Sequence, residues 1–164
     1  VNSTSFNQNF NGKFVLKERD NKRFDIFMQK MGTPWIFRKV APALRQELHL
    51  SVPTNNNNKK LRAQKKDWIK IDLVSTFVSS SEKYYLGIDK NVKTVDFRKA
   101  VHNVVYDDNK NQGTFVLTEK WNKKKDGLQE MKITFWVDPK NKNKIVTEYE
   151  TLGFKVRVKF HRFT

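Results

Sequence analysis

The chain has 164 residues, most simply one domain with enough interior to fold without disulfides or metals. Its 33 Lys and Arg against 17 Asp and Glu leave a formal charge of +16, which favours anionic partners such as nucleic acid, acidic phospholipid or an acidic protein, or else serves only solubility. The absence of cysteine excludes disulfides, thiolate metal sites and cysteine catalysis, His49, His102 and His161 lack metal-ligand spacing, and no run of about 18 apolar residues marks a membrane-crossing helix.

Residues 1–9 are expected to form a flexible extension ahead of one domain over 10–164. Val1 in place of Met and the glycosylation sequon Asn2-Ser3-Thr4 point to secretion, with a cytoplasmic location as the alternative. Phe14-Val15-Leu16-Lys17-Glu18 suits a strand that Arg19-Asp20-Asn21 breaks. A helix follows, with Asn21 available as its N-cap. Phe24, Phe27, Met28 and Met31 fall on one face of it, and Gly32 can close it. Pro34 suits the first turn of a second helix, where Trp35, Phe37, Val40 and Ala41 supply apolar contacts before Pro42 interrupts. Two helices of about two turns each cannot make a core and must cover something.

Glu47-Leu48-His49-Leu50-Ser51-Val52 alternates as a strand with one buried face, and Pro53 stops it. The polar stretch 54–66 reads as an exposed loop, a disordered spacer or a basic arm. Strand signals then come at 68–77, 83–88, 94–97, 99–106, 114–121, 129–137, 144–150 and 154–163. Turn formers at 107–113, 122–127, 138–141 and Leu152-Gly153 connect most of the later ones. Ten antiparallel strands with short connections argue for a mainly β protein, an up-and-down barrel capped by the helical pair. A barrel of that size is wider than side chains fill, so it holds a ligand or water. No phosphate loop, nucleophile elbow or recognisable carboxylate pair is present, so no enzymatic activity, metal or cofactor is expected.

The ordered run GKFVLKERDNKRFDIFMQKMG, then WIFRKVA, STF at 75–77, VDFRK at 95–99 and EKW at 119–121 resembles the intracellular lipid-binding proteins of the calycin superfamily. These are the fatty-acid-binding proteins, and ERDNKRFDIF and GTPWIFRKV look most like the secreted nematode members. The resemblance runs from about Phe10 to the C-terminus. It implies a ten-stranded β-clam, a helix-turn-helix portal and a large cavity that carries a long-chain fatty acid or similar hydrophobic ligand, in a monomer. By residue matching it places Phe24, Phe27, Met28 and Thr33 on the cavity or portal wall, Phe77 at the portal against the ligand tail, and Val95 with Asp96 on the opposing turn. Ordinary core packing is the other reading of these aromatics.

Relatives hold the ligand carboxylate with an arginine on the eighth strand and an Arg-x-Tyr pair on the last, and this chain departs from both. Thr134 falls at the first arginine position, Lys159 at the second and His161 at the tyrosine, with Arg157 on the same face. If the face carrying Lys155, Arg157, Lys159 and His161 points inward, it binds a fatty-acid carboxylate, and this is the favoured register. A one-residue slip turns Phe154, Val156, Val158 and Phe160 inward and favours a neutral lipid such as a retinoid, a long-chain alcohol or a sterol-like molecule. The third alternative is weak ligand binding and a role as a stress or desiccation protectant, as in secreted tardigrade proteins that resemble this fold. Lys22, Lys30, Arg38 and Lys39 make the lid a basic face for docking on an anionic membrane during exchange. Nucleic acid is the less favoured polyanion, because the aromatics are patterned for burial rather than for stacking on bases.

Overall fold

The computed structural model describes residues 5–33, 35–43, 45–54, 67–76, 79–94 and 97–163. The sequon at 2–4, the loop at 55–66 and the candidate portal residues Phe77, Val95 and Asp96 lie outside them. Strand β1 (Gly12–Arg19) leads into helices α1 (Asn21–Lys30) and α2 (Trp35–Val40). The remaining strands are β2 (Gln46–Ser51), β3 (Trp68–Ser75), β4 (Ser79–Tyr85), β5 (Lys90–Lys93), β6 (Lys99–Asp107), β7 (Thr114–Lys123), β8 (Gly127–Asp138), β9 (Asn141–Thr151) and β10 (Phe154–Arg162). All ten belong to one antiparallel sheet of order β4-β3-β2-β1-β10-β9-β8-β7-β6-β5, so it curls into a nearly closed barrel with β4 and β5 as its edges. The expected fold class is therefore the observed one.

The edges meet across a seam without a shared ladder. Side chains stitch it instead: Lys90 Nζ lies 2.6 Å from Glu82, and Tyr84 Oη lies 2.7 Å from His102 Nδ1 on β6. The turn between β4 and β5 is tied to β6 by a backbone bond from Gly87 N–H to the Val104 carbonyl at 2.8 Å.

The helix α1 is capped by Asp20, whose carboxylate accepts from Arg23 N–H at 3.0 Å, one residue before the expected cap. Phe24 and Phe27 both stand edge-on to Tyr149 of β9 at 5.6 Å between centroids. Arg23 donates to the Lys155 carbonyl at 2.7 Å and lies 4.6 Å over the Phe154 ring, which ties the helix to β10.

The end of the barrel away from the helices is filled by aromatics. Phe6, Phe10, Tyr106, Phe115 and Phe135 pack ring against ring, and Phe10 and Phe115 are fully buried. A short 3-10 turn at Gln8–Phe10 delivers Phe10, held by Arg162, which donates to the carbonyls of Asn9 and Asn11. For the described residues 5–9 this corrects the reading of a flexible extension: Phe6 is 2% exposed, and Gln8 Nε2 donates to the Pro53 carbonyl at 3.0 Å.

Candidate functional site

Between the helical pair and the aromatic plug lies a cavity of about 400 Å³, a volume in the range of small-molecule sites. Alternation along the strands builds it, since every second side chain points inward. Leu48 and Leu50 come from β2, Ile71 and Leu73 from β3, Leu117 from β7, and Met131, Ile133 and Phe135 from β8. From the lid, Phe24, Phe27, Met28, Met31 and Thr33 face it, joined by Phe37 and Val40 of α2. Four of the candidate site residues, Phe24, Phe27, Met28 and Thr33, thus stand together on its wall.

The favoured register of the last strand is overturned. Val156, Val158 and Phe160 are 3%, 2% and 1% exposed and belong to the core, so the apolar face of β10 points inward. Arg157, Lys159 and His161 lie on the outer face, where Arg157 Nε donates to Glu148 at 2.8 Å and its guanidinium covers the outward Trp136 ring. His161 Nε2 pairs with Glu18 at 2.9 Å, and that hydrogen bond holds the Glu18 carboxyl below the usual carboxylate range. Thr134 sits between the inward Ile133 and Phe135, on the opposite face in register with Glu148. None of the four residues matched to the carboxylate site reaches the cavity. The physical reason is desolvation: turning Arg157 and Lys159 inward would bury cations while exposing Val156, Val158 and Phe160.

The polar end of the cavity is elsewhere, on β4, β6 and β7 beside the seam. Glu119 is 4% exposed, at a position where the inward face of β7 otherwise carries Phe115, Leu117 and Trp121. His102 Nε2 lies 2.8 Å from its Oε1 and Arg98 Nη2 lies 3.3 Å from its Oε2. Arg98 in turn lies 4.2 Å over the Trp121 ring. Tyr84 closes the row against His102 Nδ1, and burial pushes its phenol up from its ordinary value. All four line the cavity. The sequence held the signal for this cluster: Glu119 interrupts an apolar period-two face, as His102 does between Ala100 and Val104 on β6.

On the lid, Lys22, Lys30 and Lys39 are exposed, whereas Arg38 is drawn toward Asp25 at 3.7 Å and is 20% exposed. Lys30 Nζ lies 5.8 Å over Phe154. Beside the lid, a crevice of about 220 Å³ gathers Lys17, Arg19 and Arg45. Among the described residues, no group of three or more His, Asp or Glu could hold a metal.

No family model and no curated protein matches the sequence. Solved structures do. A Schistosoma mansoni fatty acid binding protein in complex with arachidonic acid is 20% identical, with TM-score 0.71 over 95% of this chain and 97% of that one. The apo lipid binding protein 8 of Caenorhabditis elegans is 15% identical, with TM-score 0.74 over 98% of this chain and all of the other. As-p18, an extracellular fatty acid binding protein, is 18% identical with TM-score 0.67 over 95% and 97%. At these identities the likeness is one of architecture, covering nearly the whole of the barrel described above: the chain has the fold of the intracellular lipid-binding proteins.

Proposed function

We propose that this protein is a non-enzymatic carrier of one long-chain hydrophobic ligand, held inside the barrel and exchanged at membranes through the basic lid. The carrying observation is the cavity of about 400 Å³, whose wall is built from Leu, Ile, Met and Phe side chains of the strands and of both helices. Each methylene buried against such a wall is worth about 0.8 kcal/mol, so a single acyl or alkyl tail supplies most of the affinity. The likeness to fatty-acid and lipid-binding structures supports the same reading.

For exchange, the supporting feature is the pairing of charge with apolar surface on the lid. Ile36 is 57% exposed on α2, with Lys39 three residues on and Lys22 and Lys30 on α1. A short helix of this kind inserts its apolar side at the headgroup boundary while lysines meet anionic lipid. The extracellular As-p18 among the structural likenesses is consistent with a secreted carrier.

Native mass spectrometry of the purified protein with lipid extraction tests the reading. The expected result is one ligand per chain, either co-purified or taken up on challenge with eighteen-carbon lipids of charged and uncharged head. A barrel that stays empty after both challenges defeats the proposal.

A further inference from the structure

We propose that Glu119, His102 and Tyr84 form a head-group site that selects an uncharged hydrogen-bond donor, such as a long-chain alcohol, over a fatty-acid carboxylate. The inference rests on the carrier reading and names the ligand class for that same cavity. The His102 tautomer that carries its proton on Nε2 satisfies both distances. Nε2–H of His102 must donate to Glu119 at 2.8 Å, because a bare ring nitrogen there would face a carboxylate oxygen. Nδ1 is then an acceptor, and the Tyr84 hydroxyl must donate to it at 2.7 Å. Arg98 donates to the other Glu119 oxygen.

In that arrangement the hydroxyl proton of Tyr84 is spent on His102 and the Nε2 proton on Glu119. The row then offers an incoming head the remaining lone pairs of the Glu119 carboxylate and of the Tyr84 oxygen. These are acceptors. An alcohol meets them with its O–H. A carboxylate has no proton to give and would come to rest beside a like charge, while the cations on the cavity wall are engaged, Arg98 with Glu119 and Lys93 over the Phe97 ring. Nor does the last strand supply a substitute, since its inward side chains are Val156, Val158 and Phe160. A buried acceptor left without a donor is costly, so the site discriminates against ligands that merely fill the apolar wall.

Three ligands with the same eighteen-carbon tail separate the possibilities: oleyl alcohol, methyl oleate and oleate. Each is titrated against a fluorescent apolar probe bound in the unaltered protein at pH 7.5. The expected order is oleyl alcohol first, by about tenfold over oleate and several-fold over methyl oleate, since a single well-placed hydrogen bond is worth about that factor. In Glu119→Gln, which removes the negative charge, the ratio should shift toward oleate by tenfold or more. Equal or tighter binding of oleate by the unaltered protein overturns the head-group assignment and leaves the carrier reading standing. Methyl oleate matching the alcohol also overturns it, because the walls alone would then account for selection. Failure of all three to displace probe overturns both. The ratio in the unaltered chain decides the matter even if Glu119→Gln does not fold, and Tyr84→Phe gives a second check, with the alcohol losing several-fold and oleate unchanged.

Discussion

Phe115 shows what one residue contributes at the sealed end. Its ring meets Tyr106 at 4.6 Å, Phe10 at 5.0 Å, Phe135 at 5.4 Å and Phe6 at 5.8 Å between centroids. Truncation removes a partner from all four, so Phe115→Ala should cost about 3–5 kcal/mol in urea-induced unfolding. Gly113 is set close by at φ +121°, where an added Cβ would run into the Tyr106 hydroxyl, so any side chain there disturbs the same cluster. The buried phenols act differently, through protons. Burial raises Tyr84 and Tyr149 above the ordinary tyrosine value of 10.0. Well below that pH both states keep the phenol protons and stability is unaffected. Above it the unfolded chain releases protons that the folded chain retains, so stability must fall as pH rises. Denaturant midpoints taken from pH 9 to pH 12 should show this decline, and Tyr149→Phe should make it shallower.

Among the elements, α1 depends on its cap. Replacing Asp20 by Ala removes the acceptor for Arg23 N–H and should loosen the helix by about 1 kcal/mol. Because the barrel ladders do not involve Asp20, faster amide exchange over residues 21–30 with a nearly unchanged melting temperature is the expected signature. The strands were largely legible beforehand, because alternation and turn residues mark each one and hairpins fix their neighbours. Two placements differ. Strand β4 starts at Ser79, ahead of the expected residue 83, because Ser79, Ser80 and Ser81 pair with Val74, Leu73 and Asp72 despite carrying no apolar signal. Strand β5 covers Lys90–Lys93 rather than 94–97, and Phe97 instead takes a turn conformation with φ +65°. The lid face of Phe24, Phe27 and Met28 followed from helical periodicity, whereas the polar end did not follow from matching positions on β8 and β10. Facing on β10 was undecidable from alternation alone, since both faces are regular. What decides it is burial of Val156, Val158 and Phe160 against the core, a tertiary property.

At the scale of the molecule, a charge of +16 is spread over a barrel whose lid carries several of the lysines. Converting Lys22, Lys30 and Lys39 to Glu should slow ligand transfer to anionic vesicles by about tenfold while leaving ligand affinity in solution unchanged. The same transfer by the unaltered protein should weaken between 50 mM and 500 mM salt as the Debye length shortens. A transfer rate insensitive to both would remove the lid charges from the exchange step.

A sheet that closes through side chains keeps two unpaired ladder edges, and such edges are where a foreign strand can add and start a polymer. In this barrel they stand guard over one another. Strand β5 is only four residues long and carries Lys90 and Lys93, so an intruding strand must first displace the Glu82–Lys90 pair and then lie beside two lysines. The join that ladder hydrogen bonds leave open is thereby protected from aggregation by the residues that hold it shut.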